Sequence, residues 1–506
     1  MTKTGLMPIV EVSVPAAGIP DALKYELPDS LWADDLVGRR VKVTLRNRPV
    51  AGVITGAFKI PPTPPFLKGG KLKPIECLLD EKPVITPEQI KLARFVANYY
   101  MAPLGEVLRL CLPPNTPRTL KKDKLPKRRK KKKEAEVEQK AEPVELNDEQ
   151  KEALGKITHV VMPAEAGIQN KAGVTGLDAS LRWHDKTAFL LEGITGSGKT
   201  EVYIHAAQWA RAQNKSVLVV VPEIALTLQL CDRFASQLGE APLMLHSGLR
   251  NTQRYDVFET LLKGEPKILL GARSALFAPL SNLGLIVIDE EHDPSFKQDD
   301  TPRYHARDVA LWRAKQEGAK IILGSATPSL ESRLNAKQGK LTHLKLTKRA
   351  SSNSTLPKIE LIDLKSRAQH DAMKQADKAQ SEGQDLCILS NPLKLAMQEV
   401  LAQSEQVLLF LNRRGYASLT ICDACGSQIH CPNCAVSLTY HQKQNRYCCH
   451  QCDYFVSISM TCPSCHEGPI LRLGVGTERI EQEVALFFPD VKTARLDRDS
   501  ASSPKK

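Results

Sequence analysis

GITGSGKT, Gly193 to Thr200, follows the apolar run TAFLLE and precedes EVYIHAAQWARAQ, a stretch patterned as a helix. The spacing G-x-x-x-x-G-K-T between a strand and a helix is that of a phosphate-binding loop. Gly193, Gly196 and Gly198 let the main chain curl until its N–H groups face a polyphosphate, and the following helix N-terminus adds a favourable dipole. Ile194, Thr195 and Ser197 complete the cradle. Lys199 is expected to reach the β- and γ-phosphates of ATP and Thr200 to hold Mg²⁺.

Downstream, LIVIDEEH ends an apolar strand in acids, Asp289, Glu290 and Glu291, followed by His292. Carboxylates at the tip of a buried strand are costly unless they meet a cation. Asp289 is therefore read as a Mg²⁺ ligand, and Glu290 as the group that orients or deprotonates the attacking water. Alone this is also how a solvated turn reads, but with Gly193 to Thr200 it makes an NTP hydrolase. The strand candidates TAFLLEG, SVLVVVPE, PKILLGA, LGLIVIDEE and KIILGSAT alternate with helical stretches, which predicts a parallel α/β sheet. Upstream, VEVSVP, RRVKVTL and AGVITGAF predict a small mostly-β N-terminal domain, followed by a helix in ITPEQIKLARFVANYYMA.

The chain has 506 residues and a net charge of +13, which calls for several domains and a polyanionic partner such as nucleic acid or an anionic surface. Pro117 to Lys133 carries eleven Lys or Arg against one Asp and reads as a charged tether, or as a phosphate-binding arm. Thr158 to Asp185 has little periodicity and reads as a loop insertion. No apolar run is long enough to span a membrane and no secretory leader is evident, so a cytoplasmic protein is expected.

Nine of the 13 cysteines lie between Cys422 and Cys465. Cys422 and Cys425, Cys431 and Cys434, Cys449 and Cys452, and Cys462 and Cys465 form four C-x-x-C pairs. Each pair can clamp one side of a tetrahedral Zn²⁺, so eight thiolates close two structural sites in any of three pairings. An iron–sulfur cluster is the competing reading. Cys448 is left over, and the neighbouring histidines are read as bystanders. Such a segment has too little apolar content to hold itself without metal.

Between the acids and the next helix, DPSFKQDDTPRYHARD mixes Phe296 and Tyr304 with Lys297, Arg303, His305 and Arg307. Rings with interleaved cations are the blend expected of a single-stranded DNA contact, although a packed loop with incidental aromatics reads the same way.

Taken in order, GITGSGKTEVY, VPEIALT, HSGL, GARSALF, VIDEEHD, RYHARD, GSATPS and FLNRRGYA resemble the PriA family of bacterial primosomal replication-restart helicases, within superfamily 2. The resemblance runs from about Leu146 to Asp499. It implies RecA-like P-loop motor lobes and an ATP-driven 3′-to-5′ DNA helicase that acts at stalled forks, with forked and single-stranded DNA, primosome proteins and single-strand DNA-binding protein as partners. It sets Gln150 of LNDEQ against the adenine, and makes Phe296 to Arg307 a DNA-sensing loop. His292 and Ser325 to Thr327 become residues that couple hydrolysis to movement, and Arg273, Arg413 and Arg414 strand or phosphate contacts. It joins the outer cysteines (Cys422, Cys425, Cys462, Cys465) around one zinc and the inner set (Cys431, Cys434, Cys449, Cys452) around another.

The expected division is 1–110, the mostly-β DNA-binding domain; 111–145, a charged linker; 146–345, the first lobe; 346–420, the start of the second; 421–467, the double-zinc module; and 468–506, the rest of the second lobe. Three departures stand out. Leu23-Lys24 replaces the family's aromatic-Asp pair, which is proposed to cradle a 3′ end. The charged tether stands where the family has a winged-helix domain. ARLDRDSASSPKK closes the sequence ahead of the family's later motifs, including a trans-cleft arginine, so a shortened, helicase-deficient zinc protein that binds fork DNA is the alternative function.

Overall fold

The computed structural model describes residues 7–15, 19, 21–60, 72–113, 145–159, 187–222, 224–350, 357–362, 389–411, 418–422, 425, 427, 430–434, 438–441, 446–449, 452, 454–457, 465–466, 470–474 and 477–495. The charged tether, most of the Thr158 to Asp185 insertion, Arg413, Arg414 and Cys462 lie outside them, as does the Cys422 side chain. Two compact units are present, Met1–Thr355 and Leu356–Lys506.

The first unit opens with strands β1 (Met7–Ser13), β2 (Leu23–Glu26), β3 (Arg40–Leu45), β4 (Arg48–Ile60) and β5 (Cys77–Leu78), in the antiparallel order β2-β1-β4-β3-β5. Alternating residues Val10, Val12, Val41, Val43 and Ile54 bury one face of this sheet. Helix α1 (Pro87–Tyr99) starts in a capping box between Thr86 and Gln89, and α2 (Leu104–Cys111) follows. The helices of this region share a core with the larger sheet: Ile90, Val96 and Leu108 pack in one cluster with Phe277, Ile286 and Tyr304. Buried Gln89 seals the junction by donating to the Phe277 carbonyl at 2.6 Å.

Helix α3 (Asp148–His159) leads to the larger sheet. Its elements are β6 (Ala188–Gly193), α4 (Lys199–Ala212), β7 (Ser216–Val220), α5 (Ile224–Leu238), β8 (Leu243–Leu245), α6 (Asn251–Leu262), β9 (Ile268–Gly271), β10 (Leu283–Asp289), α7 (Ala306–Glu317), β11 (Lys320–Ser325), α8 (Leu330–Lys337) and β12 (Thr342–Leu346). The seven strands are parallel in the order β12-β6-β11-β10-β7-β9-β8. The expected parallel sheet is present, and β8 and β12, which the sequence did not suggest, complete it at both edges. Continuous apolar runs such as SVLVV follow from burial on both faces. Asp289 pairs with Gly324 and Gly324 with Leu191, so the phosphate loop and the acids leave the same C-terminal edge of the sheet. That edge is where parallel α/β sheets bind ligands.

The second unit contains α9 (Asn391–Ala402), β13 (Ser418–Cys422), β14 (Thr439–His441), β15 (Arg446–Cys448), β16 (Phe455–Ser457), β17 (Ile470–Gly474) and α10 (Thr477–Phe487). β13 pairs with β17, while β14, β15 and β16 form an antiparallel ribbon. Among the described residues of this unit no parallel strands occur. QVLLFLNRRGY was expected to begin a second motor lobe, but its residues 406–411 have no regular structure, and Leu408 and Phe410 are exposed.

Candidate functional site

The loop between β6 and α4 has the conformation its glycines permit. Gly196 and Gly198 take φ of 80° and 78°, in the left-handed region. A side chain at 198 would also stand 2.2 Å from Gln150 Nε2. Lys199 Nζ donates to the Gly193 carbonyl at 2.8 Å, folding the ammonium back over its own loop. The Ser197 hydroxyl is buried with no partner among the described groups, an orphaned polar atom inside a loop of this shape. Loop, lysine and orphan together fit a polyphosphate.

Gln150, expected beside the adenine, lies against the phosphate loop. It is buried, and its carbonyl accepts from Asn147 N at 2.8 Å in a capping box that starts α3. Its amide donates to the Ser197 carbonyl at 2.8 Å. The amide end braces the phosphate loop while the carbonyl end caps α3.

The acids sit against the same helix. Tyr203 of α4, fully buried, donates its hydroxyl to Asp289 at 3.0 Å. Burial pushes the Asp289 carboxyl above the ordinary aspartate range, while the Tyr203 hydrogen bond and the Lys199 ammonium pull it back. Burial first, and then the charge of Asp289, push Glu290 up as well, again opposed by Lys199. Lys199 thus acts electrostatically on both carboxylates. Glu290 holds a φ of 49°, unusual for a residue with a side chain. Two acids raised by a dry setting beside one ammonium are poised for a second cation.

Gly324 makes room for this arrangement, because a Cβ there would lie 1.7 Å from the Tyr203 hydroxyl. Gly324→Ala is expected to cost about 1–3 kcal/mol through overpacking and to pull Tyr203 off Asp289. Chemical denaturation checks this, and a stability equal to wild type would contradict it.

The next acid, Glu291, was given no role from sequence, yet it is a hub. Its fully buried carboxylate accepts from Ser329 N at 2.7 Å, Ser332 Oγ at 2.9 Å and Arg307 Nη1 at 3.3 Å. It ties the acid strand to the start of α8 and to α7. His292 Nδ1 lies 2.7 Å from Ser325 Oγ, and its Nε2 lies 3.4 Å from Thr327 Oγ1. His292, Ser325 and Thr327 therefore meet.

The loop after the acids differs from its reading. Phe296 and Tyr304 are fully buried, and Tyr304 packs edge-on against Phe277 at 5.1 Å, so neither face is offered to a base. Its cations are largely turned on the loop itself: Arg273 Nη1 donates to the Ser295 and Lys297 carbonyls at 2.8 and 2.7 Å, Lys297 Nζ to Arg303 O at 2.6 Å, and Arg303 Nε to Asp299 O at 2.9 Å. Arg307 points inward to Glu291. The residue types of a stacking platform here build a packed loop, because the shared core between α1 and the sheet needs the rings more than the surface does.

In the cysteine segment the thiols of Cys431, Cys434, Cys449 and Cys452 lie within 4.8 Å of one another. Tetrahedral zinc with sulfur at about 2.3 Å requires thiolates roughly 3.8 Å apart, so the set fits. The Tyr454 backbone N–H and the neighbouring thiols draw the Cys452 thiol down to about 7, while the same hydrogen bonding to Cys452 pushes Cys434 up to about 12. Cys425 and Cys465 of the outer set are described, but the Cys422 side chain and Cys462 are not.

Against this geometry, three family models match the chain: the PriA 3′ DNA-binding domain over residues 10–113, the DEAD/DEAH box helicase over 177–335, and the cysteine-rich region of PriA DNA helicase over 431–454. The replication restart protein PriA of Rickettsia felis is 34% identical over 99% of this chain and 68% of its own length. The chain belongs to the PriA family. The PriA of Haemophilus influenzae is 35% identical over 98% of this chain and 71% of its own length. Among solved structures, RecG bound to a three-way DNA junction aligns at 18% identity and a TM-score of 0.30, covering 52% of this chain and 32% of that one. As a PriA-family member with a DEAD/DEAH box helicase match, the chain is an ATP-dependent DNA helicase of replication restart that uses nucleotide, binds DNA and carries a zinc-binding cysteine module.

Proposed function

We propose that the chain hydrolyses ATP at the β6–α4 loop to drive 3′-to-5′ unwinding of forked DNA during replication restart. The observation that carries this reading is that the phosphate loop and the acids leave the same sheet edge, with Tyr203 of the helix that follows the loop bonded to Asp289 at 3.0 Å. The loop N–H groups and Lys199 hold the phosphates. Thr200 and Asp289 would hold Mg²⁺, which neutralises charge on the phosphates when bound. Glu290 orients the attacking water and accepts its proton. Tyr203 fixes the Asp289 carboxylate, and Gln150 keeps the loop in shape.

His292, Ser325 and Thr327 link the acids to the turn after β11, the route by which hydrolysis is felt as movement. Arg273, Lys297 and Arg303 remain candidates for phosphate contacts through donors not spent on carbonyls. Cys431, Cys434, Cys449 and Cys452 hold one structural zinc, and Cys422, Cys425, Cys462 and Cys465 a second. Primosome proteins and single-strand DNA-binding protein are the proposed partners. Among the described residues no helix is long and apolar enough to cross a membrane, and a cytoplasmic location is proposed.

The test is ATP-dependent strand separation on a synthetic fork, with DNA-stimulated ATP hydrolysis alongside. Fork binding with neither activity would instead support a zinc-containing DNA-binding protein. A pH dependence also follows. Asp289 and Glu290 must be ionised to work, and both are raised above the ordinary carboxylate range of about 4. Turnover is therefore expected to fall with decreasing pH at values above that range, and the fall should move to lower pH as Mg²⁺ increases, since a cation favours the ionised acids. An acid limb at ordinary carboxylate pH that ignores Mg²⁺ would contradict the assignment.

A further inference from the structure

The nucleotide site leaves one group at the junction of α1 and α7 unused. Tyr100, just after α1, sits within the stretch matched by the PriA 3′ DNA-binding domain. Its hydroxyl reaches into the first turn of α7, where it makes two bonds of opposite sense. It accepts from His305 N at 3.1 Å and donates to Asp308 Oδ2 at 3.2 Å.

His305 is the residue that caps α7, its ring nitrogen accepting from Arg307 N at 3.2 Å. Asp308 lies in that first turn and approaches Arg307 Nε at 3.5 Å. Two features fix the Tyr100 ring: Lys297 Nζ stands 5.2 Å from its centroid, and Tyr99 packs edge-on at 4.9 Å. One turn back along α1, Phe95 stacks on Trp312 of α7 at 4.5 Å. A phenol that is donor and acceptor at once has a single orientation, so α7 is indexed against α1 at its N-terminus.

What α7 carries there is Arg307, whose Nη1 reaches the buried Glu291 at 3.3 Å and Ser329 Oγ at 2.7 Å. Glu291 is bonded through the main chain to Glu290. The first turn of α7 therefore lies between the N-terminal module and the acid that the hydrolysis reading places on the water.

We propose that Tyr100 is a positioning residue for hydrolysis: through His305 and Asp308 it sets Arg307 and Glu291, so that DNA held by the N-terminal module is felt at the carboxylate strand. The proposal rests on the ATPase reading above. It assigns Tyr100 no contact with nucleotide or DNA. A packing role alone would be satisfied by phenylalanine, which keeps the ring, its neighbours and the lysine above it.

Tyr100→Phe is the test, with Asp308→Asn and the double variant, each in the full chain with a synthetic fork. Expected for Tyr100→Phe are DNA-free turnover and fork affinity within about two-fold of wild type, and a ratio of DNA-stimulated to basal turnover reduced about five-fold or more, the lower end of ordinary coupling between sites. The double variant should be no worse than the more affected single one, since both remove the same link. Amide hydrogen exchange at residues 305–308 supplies a readout that needs no turnover: fork DNA should slow it in wild type and leave it unchanged in Tyr100→Phe. An unchanged stimulation ratio, equal loss of basal and stimulated rates, or the same exchange response in both proteins overturns the proposal. A wild-type chain that fails to hydrolyse ATP would sink the enzymatic reading instead, and the exchange comparison would still decide the coupling.

Discussion

Lys199→Ala is expected to lower ATP turnover by about 10³-fold while leaving fork binding and folding intact. The ammonium is bonded to the Gly193 carbonyl at 2.8 Å, and it also bears on Asp289 and Glu290. Positioned charge that meets developing negative charge on a phosphoryl group is worth about 3–4 kcal/mol per donor in a dry site. Folding should survive because the substitution removes one hydrogen bond, to the Gly193 carbonyl at the end of β6, a loss of about 1–3 kcal/mol. Steady-state hydrolysis with and without DNA, beside a fork-binding titration, checks the expectation. Turnover within ten-fold of wild type would remove the loop from the chemistry.

The second large effect concerns the cysteine module. Among its described residues the core is four buried side chains, Cys431, Leu438, Tyr447 and Cys449, two of them thiols of the proposed metal site. So little apolar surface cannot offset the backbone entropy of the ribbon, whereas zinc in a site of this kind supplies on the order of 10 kcal/mol. Cys431→Ser or Cys449→Ser should cost the chain about one zinc and open residues 430–457 to protease, while the nucleotide-binding sheet keeps its melting transition. Cys448→Ser should keep the metal. Elemental analysis with limited proteolysis distinguishes these cases, and full zinc retention in Cys449→Ser would break the inner set.

Local motifs were readable before the fold was known. A phosphate loop depends on glycines at fixed offsets between a strand and a helix, and the acid tip on four apolar residues before Asp289, so both declare themselves in a few letters. The clustering of Cys431, Cys434, Cys449 and Cys452 likewise follows the spacing and the family resemblance. Features set by strand register were invisible. Tyr203 matters because β10 and β11 bring Asp289 and Gly324 level beneath α4, and no pattern in EVYIHAAQ reports that. Glu291 looked like a spare acid until α7 and α8 closed over it. Gln150 carried the right residue type, but the capping of α3 turned it toward the loop backbone.

The aromatic loop misled for a different reason. Phe296 and Tyr304 amid Arg and Lys have the same composition whether they stack on bases or fill a junction. The deciding fact was that α1 and α2 pack their apolar residues in one cluster with the motor sheet as well as with Val53 of β4. Edge strands β8 and β12 were missed because they are short and partly exposed, so the unbroken apolar signature of the central strands is absent.

The structure of the chain bound to Mg²⁺ and a non-hydrolysable ATP analogue bears most directly on the shared site. The γ-phosphate is expected to draw Lys199 away from the Gly193 carbonyl, with the metal held between Thr200 and Asp289 and Glu290 facing the γ-phosphate. An analogue seated elsewhere, or a metal that leaves Asp289 uncontacted, would contradict the convergence of loop and acids.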